Sequence, residues 1–170
     1  METGELGHVD IHYITKGTVK SLGNKKLYLL GIIDDYSRIC WLKIIDSTKA
    51  VKVTFAAMDI MLKIKGRYGI QFKEMLSDNG SEFSSRNNPD HPFEAMLNFY
   101  DVKHRYTQPF RPQTNGKIER FWKTIEDELL SGEQFETLEE LENHILGYAI
   151  YYNEHRIHQG INNKMPVDMT

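Results

Sequence analysis

The segment Leu27-Tyr28-Leu29-Leu30-Gly31-Ile32-Ile33, followed at once by Asp34-Asp35, constrains the fold more than any other stretch of the chain. A strand with one wet face alternates apolar and polar residues, whereas a strand that is apolar at almost every position has to be covered on both faces. The chain must therefore supply packing layers above and below this strand, and amphipathic helices elsewhere are the expected source. The run is seven residues long, far short of the roughly 20 needed to cross a bilayer.

The flanking segments fit such a layered α/β architecture. His8 to Ile14 sets Val9, Ile11 and Tyr13 against His8, Asp10 and His12 in strict alternation, so Asp10 faces away from the apolar side of its own strand. Ile39 to Ile45 is rich in β-branched and aromatic residues and follows a short turn, which predicts an antiparallel meander of three strands. From Thr48 to Lys65 the spacing turns helical, with Val51, Phe55, Met58 and Leu62 on one stripe and Gly66 as the stop. A strand at about 72–76, a short helix at about 92–100 and a brief strand near 104–106 come next. The helix after Asn115 is marked by Ile118, Phe121, Trp122, Ile125 and Leu129 at three- and four-residue intervals, with Asn115 as its N-cap. The last helix opens with the capping box Thr137-Leu138-Glu139-Glu140. No repeat or interdomain linker interrupts the order, so residues 1–170 read as one domain.

Composition narrows the partners. The chain carries 24 acidic and 21 basic residues, a net charge of −3, which is low for a protein that grips a phosphate backbone with Lys and Arg. Distribution changes that conclusion. Between Val102 and Thr124 there are six cations, Lys103, Arg105, Arg111, Lys117, Arg120 and Lys123, against Glu119 alone. Between Ile125 and Glu142 there are eight acids and no Lys or Arg. Cys40 is the single cysteine, which excludes an internal disulfide and any multi-cysteine zinc site. The N-terminus lacks the charged and apolar regions of a signal peptide, and with no membrane span a cytoplasmic location is the default expectation.

Three acids stand out. Asp10 lies in the first strand, Asp78 in Asp78-Asn79-Gly80 after a strand, and Glu119 in Asn115-Gly116-Lys117-Ile118-Glu119-Arg120, at the start of a helix. Carboxylates drawn from separate elements are how a protein holds Mg²⁺ or Mn²⁺ for phosphoryl transfer, because hard cations prefer oxygen ligands and relieve the repulsion between the acids. Taken singly, each acid has an ordinary explanation: Asp78 in a turn, Glu119 favoured by the helix dipole, Asp10 at a strand end. Asp34 and Asp35 read as turn residues or as an Asp–Arg pair with Arg38. His155 and His158 lack the further ligands of a zinc site and read as structural.

The four segments Gly7-His8-Val9-Asp10-Ile11, Asp34-Asp35-Tyr36-Ser37-Arg38, Asp78-Asn79-Gly80-Ser81-Glu82-Phe83 and Pro112-Gln113-Thr114-Asn115-Gly116-Lys117-Ile118-Glu119-Arg120 together resemble the catalytic core of the Asp-Asp-Glu integrases and transposases. The wording Asn-Gly-Lys-Ile-Glu-Arg-Phe is closer to the bacterial insertion-sequence branch. Tyr152-Asn153-Glu154-His155-Arg156-Ile157-His158 resembles that branch's C-terminal Tyr-Asn-x-x-Arg-x-His element. One departure is a longer interval than is usual between the second Asp and the Glu, here the 40 residues from Asn79 to Ile118. The polar stretch 84–92 is the expected place for the insertion, which an exposed loop tolerates at low cost.

The resemblance implies a ribonuclease-H-like α/β fold, a mixed five-stranded sheet with helices on both faces. It implies that Asp10, Asp78 and Glu119 are the catalytic and metal-binding residues, holding two Mg²⁺ or Mn²⁺ ions. Asn79, Asn115, Lys117, Arg120 and Lys123 are the implied DNA contacts; a second turn beyond Glu119, where retroviral relatives carry a further basic residue, this chain has Glu126. Full-length members usually carry an upstream DNA-recognition domain, so residues 1–170 are expected to be the catalytic core without it. The implied activity is metal-dependent cleavage and joining of DNA strands during integration or transposition, with mobile-element ends and target DNA as partners and a homo-oligomer, dimer or higher, as the working form. Two alternatives stand beside it: a ribonuclease-H-like nuclease, and a catalytically silent fragment that only dimerises or contributes to a DNA assembly.

Overall fold

Strand β2, Leu27–Asp34, occupies the position its sequence demands, with one strand on each side and a packing layer on each face. The computed structural model describes residues 2–84, 88, 90–107 and 116–170. The strands are β1 Leu6–Ile14, β2, β3 Cys40–Ile45, β4 Glu74–Ser77 and β5 Lys103–Tyr106; the helices are α1 Ala50–Tyr68, α2 Pro92–Phe99, α3 Gly116–Ile125 and α4 Leu138–Glu154. They form one mixed sheet in the order β3-β2-β1-β4-β5, antiparallel across β1, β2 and β3 and parallel from β1 through β4 to β5. The expected mixed five-stranded sheet is the one observed.

Alternation along β2 divides the core in two. Leu30 and Ile32 point into a cluster with Val53, Ala57 and Ile60 of α1 and Phe93 and Leu97 of α2. Leu29 and Ile33 point the other way, into a cluster with Ile118, Phe121, Trp122 and Ile125 of α3 and Leu141, Ile145 and Tyr148 of α4. The apolar stripe read on α3 is thus the one that packs.

On α1 the sheet selects a different stripe from the expected one. Val53, Ala56, Ala57, Ile60, Met61 and Ile64 are buried, while Val51, Phe55 and Leu62 are 54%, 61% and 46% exposed. Both stripes are apolar; the buried one carries two alanines, whose small side chains let the helix axis lie close to the sheet. Gly66 does not stop the helix either. It is passed in the helix interior, and α1 ends three residues later at Gly69, whose φ of 71° is the left-handed conformation of a glycine cap and whose N–H donates to Lys65 O. At α4, Thr137 Oγ1 accepts from Glu140 N–H as expected, but the Glu140 carboxylate reaches back to Glu136 N–H, one residue beyond the position a capping box uses. After Ile125 the helix widens into a π turn, Glu126–Leu130, closed by Ser131 N–H to Glu126 O, which keeps both Leu129 and Leu130 in the core. Among the described residues no helix is long and apolar enough to cross a membrane.

Candidate active site

Strand register brings two of the three acids together. β1 and β4 pair in parallel as Leu6 with Glu74, Gly7 with Met75 and His8 with Leu76, a constant offset of 68. Continued by two residues, that offset sets Asp10 against Asp78, immediately beyond the last residue of β4. Asp78 is held by its own turn, with Oδ1 accepting from Gly80 N–H at 2.8 Å, so the turn explanation and the functional one describe the same residue. Beneath it, Ser77 Oγ lies 2.8 Å from His104 Nε2, and His104 Nδ1 lies 2.7 Å from Glu94 Oε1. Ser77 is fully buried, so this chain of contacts braces the strand end that carries Asp78 and offers no nucleophile.

Helix α3 is fastened to the same spot. Trp122 Nε1–H donates to Asp10 Oδ2 at 2.9 Å, and His12, two residues along the same face of β1, stacks on the indole at 5.1 Å and bonds Glu126 at 2.6 Å. Glu119 is exposed and precedes Trp122 by three residues, one helical turn, which puts it on the side of α3 that meets Asp10. Burial raises the Asp10 carboxyl above its ordinary pKa; hydrogen bonds from the backbone of Ile11 and from Trp122 oppose this, and the charge of Asp78 adds to the rise. Two neighbouring carboxylates, one of them sheltered and reluctant to ionise, are the environment a divalent cation relieves, and their oxygen donors suit a hard ion. Among the described residues no group of three His, Cys, Asp or Glu stands at metal-holding spacing. The register sets Asp10 opposite Asp78, close enough for the charge of one to act on the other, and Glu119 is carried on the helix bonded to Asp10.

A glycine makes the indole contact possible. Gly31 is the cross-strand partner of Asp10, and a Cβ there would lie 2.6 Å from Trp122 Cη2 and 3.2 Å from a Leu42 methyl. The absence of a side chain lets the indole lie across β2 and reach Asp10. Gly31→Ala is expected to destabilise the protein by about 1–3 kcal/mol, as overpacking of a core does, and to shift tryptophan fluorescence as the ring leaves Asp10. Urea denaturation and emission spectra check both; an unchanged midpoint would show that the helix moves aside freely.

The residues expected to contact DNA divide. Arg120 and Lys123 are exposed on α3 without an ion-pair partner among the described residues, and Asn79 is exposed with its amide donating to Thr107 O at 3.1 Å. Asn115 lies outside the described residues. Lys117 is committed inward, its ammonium 2.5 Å from Asp35 Oδ2, whose other oxygen is 2.7 Å from His8 Nε2. The Asp–Arg pair expected at 34–38 is therefore not the one formed: Asp35 pairs with Lys117, and Asp34 accepts from Gly4 N–H, Ser37 N–H and the Ser37 hydroxyl. Burial alone would raise Asp35, yet the hydrogen bonds and charges of His8 and Lys117 hold its carboxyl down at about 2. A carboxyl depressed in the folded state contributes stability above its unfolded pKa, near 3.9, and loses it as pH falls toward 2. Between pH 5 and pH 2 this group is expected to remove about 2 kcal/mol of stability, and Lys117→Met to reduce that loss; urea midpoints across the range measure it.

The sequence reading treated Trp122 as packing alone and did not assign His12 a place in the site. The available signal was weak: His12 shares the face of Asp10 on β1, and Glu126 follows Trp122 by one turn, but the pairing of those two faces is a tertiary fact.

Comparison with known proteins identifies the family and the fold. The family described as "Integrase core domain" matches residues 4–112, and a second family of the same description matches residues 100–166. The integrase-like ORF3 protein of Spiroplasma virus SpV1-C74 is 29% identical over 150 residues, 84% of this chain and 41% of its own length. The transposase for insertion sequence element IS904 of Lactococcus lactis is 30% identical over 93 residues, 54% of this chain and 35% of its own length. The chain thus spans less than half the length of these relatives. Among solved structures, the HTLV-2 integrase catalytic core domain in complex with magnesium, in its dimeric form, superposes with a TM-score of 0.62 at 15% identity, covering 99% of this chain and 96% of that one, so the fold is that of an integrase catalytic core. A family match over residues 4–112, more than half of the 170, places the chain in the integrase core domain family.

Proposed function

We propose that this chain is the catalytic core of a metal-dependent polynucleotidyl transferase that cleaves DNA strands and joins a 3′-hydroxyl to target DNA during integration or transposition. The observation that carries the reading is the placement of Asp10 against Asp78 by strand register, with the helix bearing Glu119 bonded to Asp10 through Trp122. In this reading Asp10, Asp78 and Glu119 hold two Mg²⁺ or Mn²⁺ ions, which supply an activated oxygen nucleophile and neutralise charge on the leaving oxygen. The chain's own part is orientation. Trp122 N–H fixes one Asp10 oxygen and would leave the other for an ion, the Gly80 amide does the same for Asp78, and the exposed Glu119 on α3 would supply the third carboxylate. Nucleophilic water or a 3′-hydroxyl forms the new P–O bond as the old one breaks in line, so no covalent link to the protein is needed.

DNA is the expected partner, contacted by Asn79, Asn115, Arg120 and Lys123, with Lys117 joining once its pairing with Asp35 loosens. The HTLV-2 core was solved as a dimer with magnesium, which supports a homo-oligomer as the working form and magnesium as the ion. Residues 1–170 act in this reading as a single core domain, with recognition of element ends supplied from outside it.

The test is an incubation with nicked or branched DNA carrying preformed 3′ ends, in millimolar Mg²⁺ or Mn²⁺ and in EDTA. Joined or cleaved strands are expected only with metal, and the same ions should raise the melting temperature by several degrees through binding to the folded form. Neither thermal shift nor product on any such substrate, in a longer protein as well as in this chain, would move the reading to the silent scaffold.

A further inference from the structure

A second face of α3 opens away from the carboxylates. Trp122 turns toward Asp10, whereas Lys117, Arg120 and Thr124 form one wall of a cleft of about 610 Å³ whose opposite wall is the segment after α4, from Arg156 to Gly160, with Arg38 and Ile33 between them. Four cations line it, Arg38, Lys117, Arg120 and Arg156, and among the described residues no carboxylate does. The residues outside the described set include no Asp or Glu.

Two of these charges are answered within the protein. Lys117 pairs with Asp35 at 2.5 Å, and Arg156 holds Glu128 through contacts of 2.6 and 3.0 Å while its Nη1 lies 3.3 Å from His158 Nδ1. The other two are not. Arg120 and Arg38 have no carboxylate partner among the described residues, and Arg38 Nη1 is shut off from solvent without a hydrogen-bond acceptor. A buried donor on a charged group is a standing penalty unless something completes it. The left-handed backbone of Arg38, φ 69°, belongs to the turn between β2 and β3, where its N–H donates to Asp34 O at 3.1 Å. Arg38 lines the cleft beside Arg120, and because Nη1 is enclosed, a ligand there would be met by the other N–H groups of the guanidinium.

We propose that this cleft is a phosphate-binding site that grips the sugar-phosphate backbone of DNA through Arg38 and Arg120, on the side of α3 away from Glu119. Phosphate oxygens match the fork of a guanidinium and accept from two arginines at once. The volume exceeds one phosphate group and fits a nucleotide unit of a continuous strand. No base-reading group is required, so the grip is independent of sequence and fixes the register of the strand relative to the carboxylates. His158 donates from Nε2 to Tyr152 O at 3.2 Å, leaving Nδ1 to accept from Arg156, and so keeps the far wall in place. This site rests on the DNA reading above and adds to it a grip that the three acids do not provide.

The experiment titrates the protein with a DNA duplex bearing a single-stranded end, and separately with inorganic phosphate, while following the side-chain N–H resonances of Arg38 and Arg120. The expected result is a shift of both with DNA and at most a weak shift with millimolar phosphate. In parallel, Arg38→Gln and Arg120→Gln should each weaken DNA affinity several-fold and lower the slope of log K against log salt by about one, while Lys63→Gln, at an exposed position on α1, leaves that slope unchanged. Arg120 is at the surface, so its variant stays folded even where Arg38→Gln does not, and the resonance shifts of Arg38 then carry the test at that position. Shifts with phosphate alone would make the cleft a free-anion site and overturn the DNA assignment. Unmoved resonances, or unchanged slopes in both variants, would remove the site altogether. A protein that joins strands normally with both arginines replaced would overturn this inference and leave the proposed function standing, whereas arginine-dependent DNA binding without any joining would do the reverse.

Discussion

Asp78→Asn and Glu119→Gln are each expected to reduce metal-dependent DNA cleavage or joining by a hundredfold or more, on the order of 3 kcal/mol in the barrier, while leaving the fold intact. Each change preserves side-chain size and removes one charge from the proposed metal-holding set. At position 78 the amide oxygen of Asn still accepts from Gly80 N–H, so the turn is expected to survive while the proposed cation loses a charged ligand. With the neighbouring charge gone, the push that Asp78 exerts on Asp10 disappears. The Asp78 variant should therefore be slightly more stable than the parent in EDTA and gain less from added Mg²⁺. Glu119 is exposed, so its replacement should be neutral for stability without metal. The readout is strand joining on preformed ends alongside thermal melts with and without metal. Wild-type turnover in both variants would remove these acids from the chemistry, however well the fold matched.

The second large effect concerns a residue remote from the chemistry. Asn153→Ala is expected to destabilise the protein by about 2–4 kcal/mol, a large share of the 5–15 kcal/mol typical of a domain. Asn153 is fully buried, and its side chain meets the outer strand β3 as a neighbouring strand would: Oδ1 accepts from Cys40 N–H at 2.9 Å and Nδ2 donates to Cys40 O at 2.8 Å. A further bond reaches the Tyr68 hydroxyl at 3.1 Å, tying α4 to the end of α1. Truncation leaves a buried N–H and a buried C=O without partners and a cavity between them. Asn153→Asp separates the terms, since it keeps the acceptor, loses the donor and buries a charge. Both variants are expected to lower the urea midpoint, and faster hydrogen exchange at Cys40 N–H would localise the loss. A midpoint within error of the parent would show that the strand edge closes by other means.

The element types were legible because each follows from local pattern: the apolar run of β2, the alternation of β1, the three-and-four spacing of α3. Where two local patterns competed, the sequence did not decide. Helix α1 offers two apolar stripes, and only the distance to the sheet, which favours Ala56 and Ala57 over Val51 and Phe55, selects between them. Gly66 and Gly69 present the same choice of stop, settled by which glycine reaches the left-handed conformation at the end of the packed turns. Of the proposed site, Asp10 and Asp78 were singled out from their neighbours in the sequence, and the register of β1 with β4 sets one opposite the other. The partners of Lys117 and Trp122 were not readable, because Asp35 and Asp10 lie 82 and 112 residues away in the chain and meet them only through packing.

The way the acids are held bears on how this chain can change length. Asp10 and Asp78 owe their adjacency to backbone pairing between β1 and β4, so residues gained or lost in the connections between those strands leave the pair untouched as long as the offset of 68 is reset by the same number. Glu119 obeys a different rule. Its place depends on where Trp122 seats over Gly31, and the intervening 40 residues can lengthen freely provided the indole still finds that seat. In the proposed reading, insertions in the loops between Asp78 and Glu119, outside α2 and β5, should leave the acids in place, whereas one residue added between Glu119 and Trp122 would rotate the glutamate by about 100° around the helix. The spacing of acids along such a sequence is thus a loose descriptor, and the three-residue step from glutamate to tryptophan, together with the glycine it rests on, is the stricter one.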